Sequence, residues 1–434
     1  MESHQRSDDT PFRILVVGDF SGGGGKLRKP LEIDRDNFDD VLARLTPELR
    51  LDFANNPLTI RFRELDDFHP DRLYERLPPF QSLRGLREQI EDGGMMPGPS
   101  LNPAVSGADL LKMMAGEDPT ASAAAPAPTS TWDAMLHDLV APYAEAKPDP
   151  RKPEWIAQTD AAITGEMRGL LHHPAFQQLE AAWRGLYFLV RRLETSEMLK
   201  IYVWDVPQSE LTSDEGLALL QRVMVAETVG TLGSPPWSVL AGLYSFGPEH
   251  ETALDRIAAI ARMANAPLIA GVAPDVVGLS KVFDTLRHSS SARWIGLAMP
   301  RFLLRLPYGA KTDPTDTFAF EEMPVTPEHE RYLWGNPAIA CAYLLGEAFT
   351  RYGWAMRPGQ VSDIAHLPAH IYKSEFEPEL KPCAEVLLTE EAVELLLDRG
   401  LIPLISFRGA DHVRVGRIQS IADPSSLLAG RWSS

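Results

Sequence analysis

The sequence has few cysteines, no long apolar run and no excess of positive charge. Cys341 and Cys383 are its only cysteines, which excludes a disulfide framework and is typical of a reducing compartment. No stretch reaches the roughly 18 uninterrupted apolar residues that cross a bilayer, and Met1–Thr10 lacks the apolar core of a secretory signal. The net charge of −18 disfavours nucleic acid and anionic membranes as partners. We therefore predict a cytoplasmic protein that binds neither.

The composition changes along the chain. Residues Pro119–Thr131 are rich in Ala, Pro and Ser and too poor in apolar side chains to form a core. A short acidic segment precedes them, and a longer, more apolar segment follows. The predicted regions are a small α/β unit (1–95), a disordered Pro/Ala/Gly-rich linker (96–131), a larger α/β domain (132–422) and a tail (423–434).

Apolar periodicity predicts the elements of the N-terminal unit. Phe12–Val17 is an apolar, β-rich run, typical of a buried strand. Apolar residues spaced i, i+3, i+4 and i+7 from Phe38 to Leu45 predict an amphipathic helix, with Asp36 near its N-cap. The further predicted elements are a strand at Leu58–Phe62 and helices at Asp66–Leu77, Leu83–Ile90 and Ala108–Met114.

In the C-terminal segment, strand patterns alternate with helix patterns. This alternation predicts an α/β fold with a mostly buried sheet. Thr212 with Glu215 forms a capping-box pattern at the start of a helix that ends near Gly230. The predicted helices are Trp132–Val140, Trp155–Leu193 with a break near Pro174, Glu251–Ala264 and Pro337–Trp354; the predicted strands are Leu199–Val206, Trp237–Tyr244, Pro267–Val272, Ile402–Phe407 and Val413–Gln419.

A glycine-rich loop, Gly22–Lys26, follows the first predicted strand in the manner of a phosphate-binding loop. That motif needs G-x-x-x-x-G-K-[ST], because the first glycine opens the turn and the hydroxyl ligates magnesium. Here Phe20 occupies the first glycine position and Leu27 the hydroxyl position. We interpret the loop as a glycine turn. A nucleotide-binding enzyme that uses this loop is the disfavoured alternative.

Neither histidine pair predicts a metal site. His172 and His173 are adjacent, so on a helix their side chains diverge by about 100°, and packing or capping before the following proline is favoured. His366 and His370 have i, i+4 spacing, but Pro368 between them disfavours the helix that would bring them onto one metal.

Catalytic motifs are also missing from the sequence. No G-x-S-x-G nucleophile elbow and no catalytic Cys/His motif occurs, and Asp411-His412 is interpreted as a surface or hairpin pair. Glu347 and Arg351, at i, i+4, are interpreted as a helix-surface ion pair, with an inter-subunit pair as the alternative. We predict no catalytic, cofactor-binding or metal-binding residues, and no cofactor.

The residues of interest are therefore structural. We expect Arg301 and Arg305 to anchor a loop through charge-assisted hydrogen bonds, and Trp334 and Asn336 to fix the turn before the long helix. On the helix after Pro174, we expect one tryptophan to pack in the core and the glycine two positions later to allow a close helix–helix contact. The residues with predicted structural roles are Trp183, Gly185, Arg301, Arg305, Trp334 and Asn336.

Two sets of segments carry a family resemblance. The N-terminal ones, which include FRILVVGDFS, resemble the small (TssB/VipA-like) subunit of the type VI secretion contractile sheath. The C-terminal ones, which include YLWGNPAIACAYLLGEAFTRYGW, resemble its large (TssC/VipB-like) subunit. The matching segments are Phe12–Ser21, Arg28–Leu45 and Phe62–Leu77 for the small subunit, and His172–Val190, Trp237–Phe246, Ala292–Gly309, Tyr332–Trp354 and Ile402–Ser420 for the large one.

The resemblance implies a structural sheath component, with both subunits fused in one chain and no catalysis. It implies other sheath subunits or copies of itself as partners, and the inner tube, the baseplate and the recycling ATPase as further candidates. In the family, the large component extends beyond the position equivalent to Gln419, so the resemblance is to a large component truncated at its C-terminal end. The alternative is therefore a non-polymerising, sheath-like accessory or regulator of assembly.

Overall fold

The computed structural model describes residues 10–24, 29–53, 56–92, 151–229, 234–278, 282–373 and 377–432. The predicted linker and the predicted helices Ala108–Met114 and Trp132–Val140 lie outside these residues. The strands are β1 (Phe12–Gly18), β2 (Leu31–Ile33), β3 (Glu48–Phe53), β4 (Asn56–Arg61), β5 (Leu199–Asp205), β6 (Val239–Phe246), β7 (Leu268–Val272), β8 (Ile295–Met299), β9 (Phe302–Leu303), β10 (Trp334–Gly335), β11 (Asp363–Ile364), β12 (Ile371–Lys373), β13 (Pro378–Leu380), β14 (Leu401–Ser406) and β15 (Val413–Val415).

Helices cover both faces of the largest sheet. A π-helical turn, Arg222–Ala226, extends one of them. The α-helices are α1 (Phe38–Leu45), α2 (Pro70–Arg76), α3 (Pro78–Glu91), α4 (Lys152–Leu171), α5 (Pro174–Arg192), α6 (Gln208–Leu211), α7 (Asp214–Gln221), α8 (Glu251–Ala264), α9 (Asp284–Arg287), α10 (Pro337–Tyr352) and α11 (Glu390–Asp398).

The main sheet has nine strands in the order β11-β15-β14-β8-β7-β6-β1-β5-β2. The adjacent strands from β14 to β5 run parallel, and β2, β15 and β11 pair antiparallel at the two sides. The predicted α/β class is therefore confirmed, with a mixed sheet. The strand nearest the N-terminus, β1, lies between two strands of the C-terminal segment, β5 and β6.

Strand β1 is buried along its whole length because both of its faces are covered. Phe12, Ile14 and Val16 point into the cluster that contains α5 and α10. Leu15 and Val17 point into the opposite cluster, with α7 and α8. An apolar run without a polar face is the pattern of a strand in a doubly covered parallel sheet, which explains why FRILVVG reads as a continuous apolar segment.

The N-terminal helices α1, α2 and α3 and the β3–β4 hairpin pack on the same side of the sheet as α4 and α5. Phe62 and Phe68 stack with ring centroids 4.0 Å apart, and Phe176 of α5 meets both rings edge-on. This aromatic group joins the two segments in one core. Apolar burial of this kind is the main stabilising term in folding.

Several predicted boundaries need correction. Ser213, not Thr212, caps α7, because its hydroxyl accepts the N–H of Gly216; the Thr212 hydroxyl donates instead to the carbonyl of Gln208. The predicted strand over Val413–Gln419 ends at Val415. Strands β3 and β8 and helix α11 were not predicted, since their apolar runs are short or continue into proline-containing loops.

Candidate functional site

A cleft of about 740 Å³ opens at the carboxyl ends of β1 and β6. The N-terminal half of α5, the start of α10 and residues 329–336 form its walls. In open α/β sheets, ligands are usually bound at this edge. Three residues with predicted structural roles, Arg301, Trp334 and Asn336, lie in this lining.

Asn336 ties helix α10 to the edge of the sheet. Its Oδ1 accepts the N–H of Ala338 at 2.9 Å and so caps α10, while its Nδ2 donates to the Tyr244 carbonyl at 2.9 Å. Trp334 is buried and donates its indole N–H to the carbonyl of His329 at 3.1 Å. Both side chains therefore hold the segment that leads into α10.

Arg301 forms a bidentate ion pair with Glu385 at the cleft wall, with Nε–Oε2 and Nη2–Oε1 distances of 2.8 and 2.5 Å. Burial raises the pKa of Glu385, but the bonds from Arg301 outweigh burial and lower it overall. His329 lies 3.9 Å from Glu385, beyond hydrogen-bond distance. The wall therefore presents a neutralised ion pair rather than a positioned acid–base pair.

Arg305 lies behind the cleft wall, at the centre of a buried ion cluster. Its Nε is 2.8 Å from Glu180 Oε1 and its Nη1 is 2.7 Å from Glu322 Oε2. Arg184 also bonds Glu180, at 2.6 Å, and donates to the Tyr308 hydroxyl at 2.8 Å. The cluster joins helix α5 to residues 305–322, and its two carboxylates face two guanidinium groups.

Glu322 accepts further hydrogen bonds in this cluster. The N–H of Tyr308 lies 2.8 Å from its Oε2, and His172 Nε2 lies 3.2 Å from its Oε1. Burial alone would raise the pKa of Glu322, but the Arg305 charge and these bonds lower it to about 2. Burial also raises the pKa of the Tyr308 hydroxyl, to about 12. At neutral pH the cluster therefore holds an ionised glutamate and a neutral tyrosine.

Acid is expected to weaken the fold through Glu322. Its folded-state pKa of about 2 lies below the ordinary value of 4.5, so its stabilisation is fully present above about pH 4.5 and is lost as the pH falls towards 2. The linked change in the free energy of unfolding is roughly 3 kcal/mol. Urea unfolding between these pH values should show a shallower pH slope for Glu322→Gln than for the unaltered chain, and equal slopes would contradict the assignment.

Trp183 and Asp205 of the C-terminal segment hold the turn after β1. The Trp183 indole donates to the carbonyl of Phe20 at 2.9 Å. The buried carboxylate of Asp205 accepts the N–H of Phe20 at 2.7 Å and that of Ser21 at 3.1 Å. The G-D-F-S turn is thus bound by groups from the other segment of the chain.

A second contact between the segments lies at helix α2. Asp71 accepts the N–H groups of Asp316 and Thr317, each at 3.0 Å, and the Thr317 hydroxyl. Tyr74 stacks on Phe318 with ring centroids 4.5 Å apart. Residues 305–322 therefore supply part of the ion cluster and also contact the N-terminal helix α2.

The glycine-rich loop lies at the same edge of the sheet, but its surroundings differ from those of a phosphate-binding loop. Asp19 Oδ1 accepts the N–H groups of Gly22 and Gly23, and the next described element is the strand β2, where the motif requires a helix. Lys26 and Leu27 are outside the described residues.

The histidines of the two pairs have separate surroundings and do not converge on one point. His173 accepts the N–H of Ala175 and caps α5. His370 is buried against the Tyr332 hydroxyl at 2.7 Å, whereas His366 is exposed at the surface. Within the described ranges, no group of three or more His, Cys, Asp or Glu side chains has the arrangement of a metal site. In the same part of the chain, no helix is both long and apolar enough to cross a bilayer.

The carboxylates that take part in these contacts were not identified from the sequence. Glu180 and Glu322 hold Arg305, and Asp205 holds the turn after β1. A signal was present for two of them: Glu180 lies on the apolar stripe of α5, and Asp205 ends a mostly apolar strand and precedes Val206. A charged residue at a core position indicates a buried partner. Nothing in the sequence near Glu322 distinguishes it from a surface glutamate.

Comparison with known proteins identifies the family. Residues 153–285 and 281–422 match the VipB family, described as EvpB/VC_A0108, tail sheath N-terminal domain. Residues 1–94 match the T6SS_VipA family, described as type VI secretion system, VipA, VC_A0107 or Hcp2. The chain belongs to the type VI secretion sheath proteins, and it combines a VipA-type and a VipB-type segment.

A curated relative supports this membership. The chain is 34% identical over 306 residues to the type VI secretion system sheath protein TssC1 of Pseudomonas aeruginosa; the match covers 62% of this chain and 61% of that protein. The chain therefore spans about three fifths of the relative's length. A further match is the helical sheath of the anti-feeding prophage in its contracted state, with 14% identity, a TM-score of 0.28 and coverage of 53% of this chain and 48% of that one.

Proposed function

We propose that this chain is a structural unit of a type VI secretion contractile sheath, in which one polypeptide supplies both the small and the large component. The observation that carries the proposal is the position of β1. A strand from the VipA-type segment completes the sheet of the VipB-type segment. The pairing of the two components is thus built into one folded unit.

We propose that the role of this chain is structural and involves no catalysis. Its charged groups are used for structure: Arg301 is paired with Glu385, and Arg305 with Glu180 and Glu322. We propose that neighbouring units contact each other through surfaces that do not include these ion pairs. The division into a small unit (1–95), a linker (96–131), a large domain (132–422) and a tail (423–434) remains part of the proposal.

The proposed partners are other copies of this chain or other sheath subunits, in the cytoplasm. Further candidates are the inner tube, the baseplate and the recycling ATPase of the secretion system. Electron microscopy of the purified chain, alone and mixed with separate sheath subunits, tests the proposal. Ordered tubes built from this chain support a polymerising unit. Single particles that bind sheath ends support the accessory alternative, and absence of both contradicts a sheath role.

The enzyme alternative has a direct test. ATP and GTP hydrolysis are measured for the purified chain and for Lys26→Ala. We expect no turnover above the background of a buffer control for either protein. Turnover that Lys26→Ala abolishes would instead favour a nucleotide hydrolase.

A further inference from the structure

The cleft at the carboxyl ends of β1 and β6 lies where the strand order of the sheet reverses. In chain order the parallel strands are β1, β5, β6, β7, β8 and β14; β5 lies on one side of β1, and all the later ones lie on the other side. The cleft is therefore at the topological switch point, where open α/β sheets bind their ligands. Its volume of about 740 Å³ is within the roughly 300–1,000 Å³ of ligand sites. The sheath role proposed above makes no use of it.

The strong donors in the cleft lining are already used within the protein. Arg301 gives two N–H groups to Glu385 in the bidentate pair. Three side-chain amides of the lining each donate to a main-chain carbonyl: Gln177 to Glu330 at 3.3 Å, Gln208 to Ser245 at 3.1 Å and Asn336 to Tyr244 at 2.9 Å. A phosphate or carboxylate ligand is held best by charged donors, and the only guanidinium in this lining is paired. The cleft is therefore poorly suited to an anion.

His329, the other side chain of the lining that could be a cation, is neutral. Lys381 Nζ lies 3.1 Å from its Nδ1, and an ammonium group can only donate, so Nδ1 carries a lone pair. Burial and, next, the charge of Lys381 lower the pKa of His329 below its ordinary value. The lining thus sets three carboxylates against one guanidinium. The carboxylates are those of Asp19, Glu330 and Glu385.

The acceptors of the lining, in contrast, are left over. Asp19 uses Oδ1 for the glycine turn after β1, and within the described part of the chain no group donates to its Oδ2. Glu330 is exposed, and its carboxylate has no ion-pair partner among the same residues. Gln177 and Gln208 direct their NH₂ groups at carbonyls, which leaves their amide oxygens as acceptors. Such a lining is complementary to a ligand that is positively charged and rich in donors.

We propose that this cleft binds a cationic head group, a guanidinium or a primary ammonium, with Asp19 and Glu330 as its carboxylate partners. A guanidinium offers five N–H donors and an ammonium three, which also suit the amide oxygens of Gln177 and Gln208. Two sources supply this chemistry: an arginine or lysine side chain of a partner protein, and a free polyamine. The proposal does not depend on the sheath role, and sheath tubes can form without it.

The experiment is isothermal titration calorimetry of the full chain at physiological ionic strength, which screens non-specific attraction to a chain of net charge −18. The probes are spermidine, a blocked pentapeptide with one central arginine among alanines, and inorganic phosphate. We expect saturable binding of at least one cationic probe, at least tenfold tighter than phosphate. Binding of the peptide identifies a protein side chain as the source; binding of spermidine without the peptide identifies a free polyamine. No saturable binding of either cation, or phosphate bound as tightly, overturns the proposal.

A matched pair of variants tests whether the cation binds in the cleft. Glu330→Gln removes one of the unpaired carboxylates and keeps the shape of the side chain, so it should weaken binding of the cationic probe at least fivefold. Glu328→Gln makes the same change two residues away, outside the lining, where Glu328 is paired with Arg331 at 2.8 Å; it should leave the affinity unchanged. Equal affinities in the two variants would show that the probe follows overall charge or binds elsewhere, and would also overturn the proposal.

Discussion

Replacing Arg305 with methionine should lower the free energy of unfolding by about 3–5 kcal/mol. The Arg305 side chain is 8% exposed and contacts Glu180 through Nε and Glu322 through Nη1. Methionine fills a similar volume but leaves Glu180 paired with Arg184, and Glu322 with His172 and the Tyr308 N–H, in place of a shared guanidinium. The loss arises from uncompensated buried charge. Urea unfolding at neutral pH measures it.

The matched control is Arg301→Met, four residues earlier. Arg301 also forms a bidentate ion pair, but its side chain is 50% exposed. Because the guanidinium is half solvated but the side chain of Glu385 is 14% exposed, this variant should lose roughly 1–2 kcal/mol, clearly less than Arg305→Met. Both substitutions remove one guanidinium, but Arg305 is buried between two carboxylates, whereas Arg301 is half exposed and paired with one. Similar losses for the two variants would contradict the central role of Arg305.

Secondary structure was predictable from the sequence wherever periodicity was strong. Helix α8 begins and ends at the predicted residues, and the break between α4 and α5 lies at Pro174 as predicted. Local apolar spacing and capping chemistry suffice for such elements. The short strands β9 to β13 were missed because two or three residues carry no usable period.

The position of β1 was not predictable in the same way. Its sequence predicts a buried strand, but its partner residues in the sheet lie 187 (Phe12 to Leu199) and 225 (Ile14 to Val239) positions later. Only the pairing of Phe12 with Leu199, and of Ile14 with Val239, shows which strands enclose it. Periodicity indicates the face that a residue presents and says nothing about the partner strand.

For a related reason, the sequence predicted the arginines and the asparagine near the candidate site but not the carboxylates. Arginines between two prolines, and an Asn-Pro pair before a long apolar helix, are local signals, and they pointed to Arg301, Arg305 and Asn336. The carboxylates that hold Arg305 lie on α5 and in residues 305–322. Their meeting depends on tertiary packing, which local sequence does not encode.

The close approach of α5 to α10 leads to the second large effect. A Cβ added at Gly185 would lie 3.3 Å from Ile339 Cγ1, so aspartate would force both bulk and charge into the contact. Overpacking alone costs roughly 1–3 kcal/mol, and a buried carboxylate without a partner adds to that. We expect Gly185→Asp to lower the free energy of unfolding by more than about 3 kcal/mol in urea unfolding.

Two further variants separate the causes of that loss. Gly165→Asp on α4 adds the same side chain at an exposed position with nothing within 4 Å of the new Cβ, so it should be close to neutral. Gly185→Ala adds only the methyl group, whose gain in helix propensity of about 1 kcal/mol offsets the tight contact. Large losses for Gly185→Asp alone identify the buried carboxylate as the cause. An equally large loss for Gly185→Ala would show that α5 and α10 are too close for any side chain at this position. If none of the three variants lost stability, the close contact would be refuted.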